Sequence, residues 1–170
     1  MIYISQNCLA GHLYHLKGVQ FTTPFIWCVI DFYSMKKLIT EWENINFHNY
    51  KLEKQDTQYN IIIDNLVKIQ YVHYKYDEKC LEPIKKDFGD IFYNKIEDYI
   101  ITKYENRLKR MEECKEIPLF CICNFKTIYE DAVYTEKQLK ELEQYNNVKV
   151  LRGCETKNPI ESSIRFFNLL

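Results

Sequence analysis

The feature that most constrains the fold is a continuous apolar run late in the chain. After Pro118, residues 119–125 read Leu-Phe-Cys-Ile-Cys-Asn-Phe. A strand that is apolar on both faces must be covered on both faces, as in a parallel sheet flanked by helices. An antiparallel strand with one face in water would alternate apolar and polar residues instead. The run therefore predicts an α/β fold.

The rest of the chain alternates between strand-like and helix-like segments. Apolar residues at spacings of three or four predict helices, and short β-prone runs predict strands. Ser34 and Thr135 are predicted N-caps. The order predicts one α/β domain over residues 1–170, a mixed β-sheet with helices on both faces. Strands are predicted at 2–4, 24–30, 59–63, 66–74, 119–124 and 148–151, and helices at 9–17, 35–42, 91–114, 136–145 and from 158 onward.

Two local patterns predict finer details. Asp64 and Asn65 tolerate positive φ and separate two β-prone runs, so they predict a two-residue hairpin turn. Alternation along the second arm of this hairpin places His73 on its more apolar face, near the end of the strand. In the longest predicted helix, Arg107 and Arg110 are expected opposite the apolar face.

Charge and cysteine content bound the class of protein. Lys plus Arg number 23 and Asp plus Glu 24, which argues against binding nucleic acid on a basic face. No segment approaches the roughly 20 apolar residues of a membrane span, and the first residues lack a signal-peptide pattern. Seven cysteines, an odd number, then predict free thiols in a reducing cytoplasm. The alternating Cys121 and Cys123 lack the spacing of a zinc site, so we expect no metal.

Cys8 is the candidate nucleophile. It falls at the predicted strand-to-helix turn, where the unpaired N–H groups and the macrodipole of a helix N-terminus favour a thiolate. Backbone N–H groups at the helix start, near Cys8 and Leu9, are the candidate oxyanion donors, and Asn7 and Leu9 are the candidate turn and oxyanion residues. The alternative is that Cys8 is a buried free cysteine used as a small apolar residue.

A nucleophilic cysteine normally needs a base, and histidine is the usual one. His73 is favoured because a residue on a separate strand can approach the thiol from above the helix terminus. His12 is the second candidate, since it lies four residues after Cys8 on the same helix. The alternative for His73 is a half-buried histidine with a structural hydrogen bond.

Several of these segments resemble two related bacterial families. Residues 4–8 (Ile-Ser-Gln-Asn-Cys), 16–19 (Leu-Lys-Gly-Val) and 23–27 (Thr-Pro-Phe-Ile-Trp) are similar to the opening of both. One family consists of papain-like cysteine peptidases with a Ser-x-x-Asn-Cys turn and a Ser-Pro-Phe-Asp-Trp block. The other is associated with exopolysaccharide and capsule biosynthesis loci. Residues 72–74, 104–111 and the strand over 119–124 also resemble these families.

The resemblance implies a Cys8–His73 pair on an α/β scaffold, in a protein that works on cell-surface polysaccharide. Ile26 stands where the peptidase-like family has Asp. If that Asp orients the base, Asp31 or Asp77 is the candidate replacement.

The resulting prediction is a cysteine-nucleophile acyl-transfer enzyme that tailors a surface-polysaccharide precursor in the cytoplasm. Its substrate would be a sugar or another small molecule, and a coenzyme A thioester is a candidate acyl donor. Lys17, Lys36 and Lys37 are the cationic residues nearest to Cys8 in sequence that could meet its phosphates. Two alternatives stay open: a papain-like cysteine hydrolase or peptidase, and a non-catalytic module that binds a sugar or a partner.

Overall fold

The computed structural model describes residues 2–7, 9–55, 58–71, 96–124, 132–152, 164–165 and 168. Within these ranges the chain forms seven strands, four helices and a 3-10 helix at Trp42–Asn44. The strands are β1 (Tyr3–Ile4), β2 (Cys28–Ile30), β3 (Tyr50–Gln55), β4 (Gln58–Ile63), β5 (Val67–Tyr71), β6 (Leu119–Cys123) and β7 (Val148–Leu151). The helices are α1 (Leu9–Lys17), α2 (Phe32–Glu41), α3 (Ile96–Cys114) and α4 (Glu136–Leu142).

The strands form two ladders that together make a mixed parallel and antiparallel arrangement. The parallel part is a three-stranded sheet with the order β1-β6-β7, and the antiparallel part is a four-stranded sheet with the order β2-β5-β4-β3. The N–H of Ile30 in β2 donates to the C=O of Gln6, just after β1, at 3.0 Å and links the two parts. The predicted single α/β domain with a mixed sheet is therefore confirmed, while the placement of helices on both faces stays a prediction.

The apolar run that predicted the fold forms β6, with β1 on one side and β7 on the other. Its last four residues have no exposed surface. Phe120 and Ile122 join the larger apolar cluster, whereas Cys121 and Cys123 join a second cluster that contains Leu9 of α1. Both faces of β6 are therefore buried, as its composition requires.

The predicted hairpin between β4 and β5 is present, but its turn is one residue longer than predicted. Asp64 and Asn65 have φ of 52° and 54°, and the N–H of Leu66 donates to the C=O of Ile63 at 2.9 Å. Ile63 pairs with Val67, so the turn contains three residues rather than two. The carboxylate of Asp64 accepts from the Asn46 N–H and the Asn49 side-chain amide of the preceding loop. These tertiary contacts hold the longer turn, and the hairpin sequence alone does not contain them.

One of the two predicted helix N-caps is wrong and the other is confirmed. The predicted cap of α2 at Ser34 is wrong, because α2 begins at Phe32 and Asp31 is its N-cap. Asp31 Oδ1 accepts from the N–H of Ser34 at 3.0 Å, and Ser34 Oγ donates to Asp31 Oδ2 at 2.8 Å. The predicted cap of α4 at Thr135 is confirmed, and Gln138 completes a capping box with it.

The predicted position of Arg107 on the longest helix is also wrong. The prediction placed it opposite the apolar face of α3, but it is only 2% exposed. Ile100, Tyr104 and Met111 of the buried face lie at spacings that continue through position 107. The arginine therefore occupies a core position of an amphipathic helix, where an apolar residue is the usual choice.

The turn geometry leads to a stability prediction. Asn65 is exposed and has positive φ. Asn65→Ala should destabilise the fold by about 1 kcal/mol, because alanine lacks the short polar side chain that lets Asn adopt positive φ at little cost. Asn65→Gly should leave the free energy of unfolding unchanged or raise it, since glycine adopts this φ without strain. Urea unfolding of the two variants and the parent measures the difference. Equal stabilities for the Ala and Gly variants would contradict the assigned turn.

Candidate active site

The described residues between β1 and α1, residues 5–7, have buried polar side chains. Ser5 and Gln6 have no exposed surface and Asn7 is 3% exposed. Cys8, the predicted nucleophile, lies outside the described residues. Burying a polar side chain costs free energy unless it is hydrogen-bonded. All three described side chains of the turn have partners, as follows.

Ser5 and Asn7 hold the start of α1. Ser5 Oγ donates to the C=O of Asn7 at 2.6 Å and accepts from the N–H of Ala10 at 2.9 Å. Asn7 Oδ1 accepts from the N–H of Leu9 at 3.1 Å. The first N–H groups of a helix lack acceptors within the helix, and here side chains of the turn accept hydrogen bonds from two of these N–H groups. The backbone is thus fixed on both sides of position 8.

Gln6 and Asn7 also bind the end of β6. Asn7 Nδ2 donates to the C=O of Cys123 at 2.9 Å, and Gln6 Oε1 accepts from the N–H of Cys123 at 3.2 Å. Gln6 Nε2 lies 3.5 Å from Asn124 Oδ1. Side chains therefore continue the pairing of β1 with β6 beyond the last residue of β1.

Tyr134 extends this network to β2. Asn124 Oδ1 accepts from the Tyr134 N–H at 3.0 Å, and the Asn124 amide nitrogen donates to the Tyr134 C=O at 2.5 Å. The Tyr134 hydroxyl donates to the C=O of Ile30 at 2.7 Å. Burial, followed by the nearby charge of Asp31, raises the pKa of Tyr134 well above its usual value. The hydroxyl therefore stays protonated and remains a donor at physiological pH.

The topology makes this turn a favoured position for a site. In open α/β sheets, ligands bind beyond the carboxyl ends of parallel strands, where strand order departs from chain order. β1 lies beside β6 although four strands, β2 to β5, separate them along the chain. From β1 the chain continues through α1 to β2, and from β6 it continues to β7 on the other side of β6. Residues 5–7 follow the carboxyl end of β1, and Asn124 follows that of β6. Both ends therefore meet at such a position.

His12, the second candidate base, is half-buried on α1. Its ring contacts Trp27 edge-to-face with centroids 5.0 Å apart. The same indole covers Gly11, where an added Cβ would lie 2.8 Å from the ring carbons. Glycine at position 11 therefore allows Trp27 to lie against α1 beside His12. The role of His12 as a base stays a prediction.

Asp31, one of the two candidate orienters, has a structural role that the sequence did not predict. Both carboxylate oxygens bind Ser34 at the start of α2, as described above. Asp31 also lines a cavity of about 390 Å³ together with Lys68, Gln70 and Tyr134. Its orienting role stays a prediction, because the predicted base His73 and the other candidate orienter, Asp77, lie outside the described residues.

The two predicted oxyanion residues already make hydrogen bonds. The N–H of Leu9 donates to Asn7 Oδ1, and the side-chain amide of Asn7 donates to Cys123. To donate to an oxyanion, the Leu9 N–H would have to share or exchange its present acceptor. The oxyanion role of Asn7 and Leu9 therefore stays a prediction, and the geometry assigns both residues to shaping the turn.

The three lysines proposed for cofactor phosphates each have a partner. Lys17 Nζ donates to the hydroxyl of Tyr3. Lys36 pairs with Glu141 and Lys37 with Glu41, both at 2.5 Å. These contacts place the lysine ammonium groups on hydroxyl or carboxylate oxygens of the protein itself.

The described residues contain no group of three His, Cys, Asp or Glu side chains that could hold a metal ion. None of the helices among them is long and apolar enough to cross a membrane.

Sequence reasoning missed Gln6, Asn124 and Tyr134 as parts of this network. A signal was present, because polar residues directly follow the buried strands β1 and β6. In a sheet with parallel neighbours, such residues meet at one edge. The contribution of Tyr134 had no comparable signal, since it arrives from a loop before α4.

Neither a protein-family model nor a curated protein matches the chain. The resemblance of residues 4–8 and 23–27 to capsule-locus and papain-like families therefore stays a prediction. The evidence for a site at the β1–α1 turn is the hydrogen-bond network described above.

The network predicts a large effect of removing Asn7. Asn7→Ala should lower the free energy of unfolding by about 2–4 kcal/mol, because it leaves the Leu9 N–H and the Cys123 C=O buried without partners. Asn44→Ala, at an exposed position, is the matched control and should change stability by less than about 0.5 kcal/mol. Urea unfolding measures both. Similar effects of the two substitutions would show that the buried amide does not hold the turn.

Proposed function

We propose that the protein is an enzyme that transfers an acyl group through the thiolate of Cys8. The observation that supports this most is the construction of the turn on either side of Cys8. Three consecutive buried polar residues precede it, and their side chains bind α1, β6 and one another. An apolar turn would bury the same surface at lower desolvation cost.

A rigid, hydrogen-bonded turn is useful for covalent catalysis. A nucleophile must be held close to its attacking geometry, and a misplacement of about 1 Å can cost about a hundredfold in rate. The start of α1 also favours negative charge through its macrodipole, which stabilises a thiolate relative to a thiol. A core cysteine needs neither property.

The proposed reaction has two steps. The Cys8 thiolate attacks the carbonyl carbon of a thioester, such as a coenzyme A thioester, and the carbon–sulfur bond of the donor breaks as acyl-Cys8 forms. The donor thiolate takes a proton from the imidazolium of His73 or His12, which leaves that histidine neutral and able to act as the base in the second step. A hydroxyl of a sugar precursor then loses its proton to the base, His73 or His12, and attacks the acyl carbon. The ester is released and the Cys8 thiolate is regenerated.

Hydrolysis by a papain-like enzyme would use the same acyl-Cys8, with water as the acceptor. One observation favours the non-catalytic alternative instead. Cys28, Cys121 and Cys123 are all fully buried and act as small apolar core residues. A binding module could use Cys8 in the same way, so the experiments below compare its reactivity with theirs.

Selective alkylation tests the thiolate. At about pH 6.5 iodoacetamide should modify Cys8 in the native protein, because its pKa should lie below the ordinary value of about 8.5. Cys28, Cys121 and Cys123 should stay unmodified, since all three are buried and burial raises the pKa of Cys121. Peptide mapping by mass spectrometry gives the rate at each site. A Cys8 rate no faster in the native than in the urea-unfolded protein at the same pH would contradict activation.

Turnover separates the alternatives. Purified protein is incubated with acetyl-coenzyme A and a mixture of sugar acceptors, and separately with a peptide pool, and products are followed by mass spectrometry. Transfer should occur in the parent and fall at least about 10³-fold in Cys8→Ser. Cys114→Ser, at a half-buried cysteine of α3, is the control and should keep near-parental activity. Peptide cleavage without acyl transfer would replace the transferase with the hydrolase, and inactivity in both assays would contradict both enzymes.

A further inference from the structure

A second cavity lies away from the turn, between the end of α1 and the middle of α3. Its volume is about 490 Å³. Among the lining residues that the structure describes, three are cationic and none is acidic. The lining residues include His15, Phe21, Trp27, Lys103, Arg107 and Arg110.

Backbone carbonyls orient the two guanidinium groups. Arg107 Nη1 lies 3.5 Å from the C=O of Ile26, and its guanidinium carbon lies 5.3 Å from the ring centroid of Phe21. Arg110 Nε donates to the C=O of Phe21 at 2.8 Å. Within the described part of the chain, neither arginine forms an ion pair with a carboxylate. Each guanidinium has five N–H donors, so donors remain on both.

Arg107 and Arg110 bring two positive charges together without a carboxylate partner among the described residues. Arg107 is 2% exposed, and burying a charged group without an opposite charge costs free energy. Burial, and then the like charge of Arg107, lowers the pKa of Arg110, which Glu113 offsets in part. Lys103 adds a third charge at the rim, with its Nζ 2.7 Å from the hydroxyl of Tyr99. An anion in the cavity would relieve the repulsion.

Aromatic rings form another part of the cavity wall. The His15 imidazole stacks on Phe21 with centroids 5.2 Å apart and an angle of 9° between the planes. Trp27 meets both rings edge-on, at 5.8 Å from His15 and 6.4 Å from Phe21. His15 is exposed, and an exposed imidazole in an aromatic cluster can stack with a further flat group.

We propose that this cavity binds a small molecule that carries a phosphate group and a flat ring. The phosphate binds the Arg107 and Arg110 guanidiniums, whose planar N–H forks match phosphate oxygens. The ring stacks on the wall formed by His15 and Phe21. A phosphate ester or diphosphate, with two or more negative charges, matches three cationic side chains better than a single carboxylate does. The volume lies within the range of about 300–1,000 Å³ for small-molecule sites, and a nucleoside diphosphate is the simplest probe.

The inference concerns binding and does not rest on the chemistry proposed for Cys8. Trp27 touches His12 and His15 on successive turns of α1, so the cavity lies along the helix that follows the active-site turn. Because the proposed contacts do not involve Cys8, the Cys8→Ala variant should bind the probe as the parent does. Binding by an alkylation-inert protein would leave this site standing and the acyl transferase rejected.

Calorimetric titration of the full chain tests the site with three probes: ADP, pyrophosphate and adenosine. ADP should bind at least about tenfold more tightly than either fragment, because only ADP engages both the arginines and the ring wall. Its affinity should fall as sodium chloride is raised, since the contacts are largely electrostatic.

Neighbouring residues of α3 provide a matched pair of variants. Arg110→Gln should weaken ADP binding about tenfold or more, whereas Lys109→Gln, which removes the same charge from an exposed position, should change it less than about twofold. Arg107→Lys, which keeps the charge but loses the planar fork, should also weaken binding. Circular dichroism and thermal unfolding establish that each variant is folded before titration.

Three results would overturn the proposal. The first is that neither ADP nor pyrophosphate gives a heat of binding up to about 1 mM. The second is an Arg110→Gln variant that binds ADP like the parent, and the third is an equal loss of ADP affinity in Arg110→Gln and Lys109→Gln. Equal affinities for ADP and pyrophosphate would contradict the ring wall as part of the site.

Discussion

The pairing of β1 with β6 is the contact on which the rest of the structure depends. Only two residues of β1 pair with β6, Tyr3 with Leu119 and Ile4 with Phe120. So short a ladder would be weak by itself, and the side chains of Gln6 and Asn7 extend it by binding the backbone of Cys123. This extension positions α1, and the C=O of Gln6 then links the parallel part of the sheet to β2. The sheet and the first helix thus share one hydrogen-bonded junction, and the candidate nucleophile is adjacent to it in sequence.

Two buried polar groups in this protein differ in how well they are satisfied. The side chains of the β1–α1 turn have protein partners, so their burial stiffens the backbone. The Arg107 guanidinium is buried to a similar degree, but among the described residues it has a long contact to a carbonyl and the face of a ring, and no carboxylate partner. A satisfied network suits a position that must hold a geometry, and a buried charge without an opposite charge suits a position that receives an anion. The two features lie at opposite ends of α1.

Sequence patterns anticipated the elements whose signals are local. The apolar composition of β6 was enough to predict burial on both faces, and Asp64-Asn65 was enough to predict a turn with positive φ. The cap of α2 was missed because Ser34 and Asp31 are both good N-caps, and the choice depends on where the chain leaves β2. Arg107 was misplaced for another reason. Its position continues the buried spacing of α3, but its charge was taken as evidence for the solvent face, and the long apolar stem of arginine can enter a core.

The sequence by itself determined the fold class, the strand-to-helix turn that contains Cys8 and the order of most elements, because periodicity, turn residues and caps act within a few residues. The tertiary structure alone decided which distant groups meet: Asn7 with Cys123, Tyr134 with Ile30, and Arg107 with Phe21. These contacts join residues about eighty or more positions apart, and no local pattern encodes which buried polar group finds a partner. The position of Cys8 in the sequence therefore identified the candidate nucleophile, whereas the hydrogen bonds that hold its turn and the cationic cavity emerged only from the folded chain.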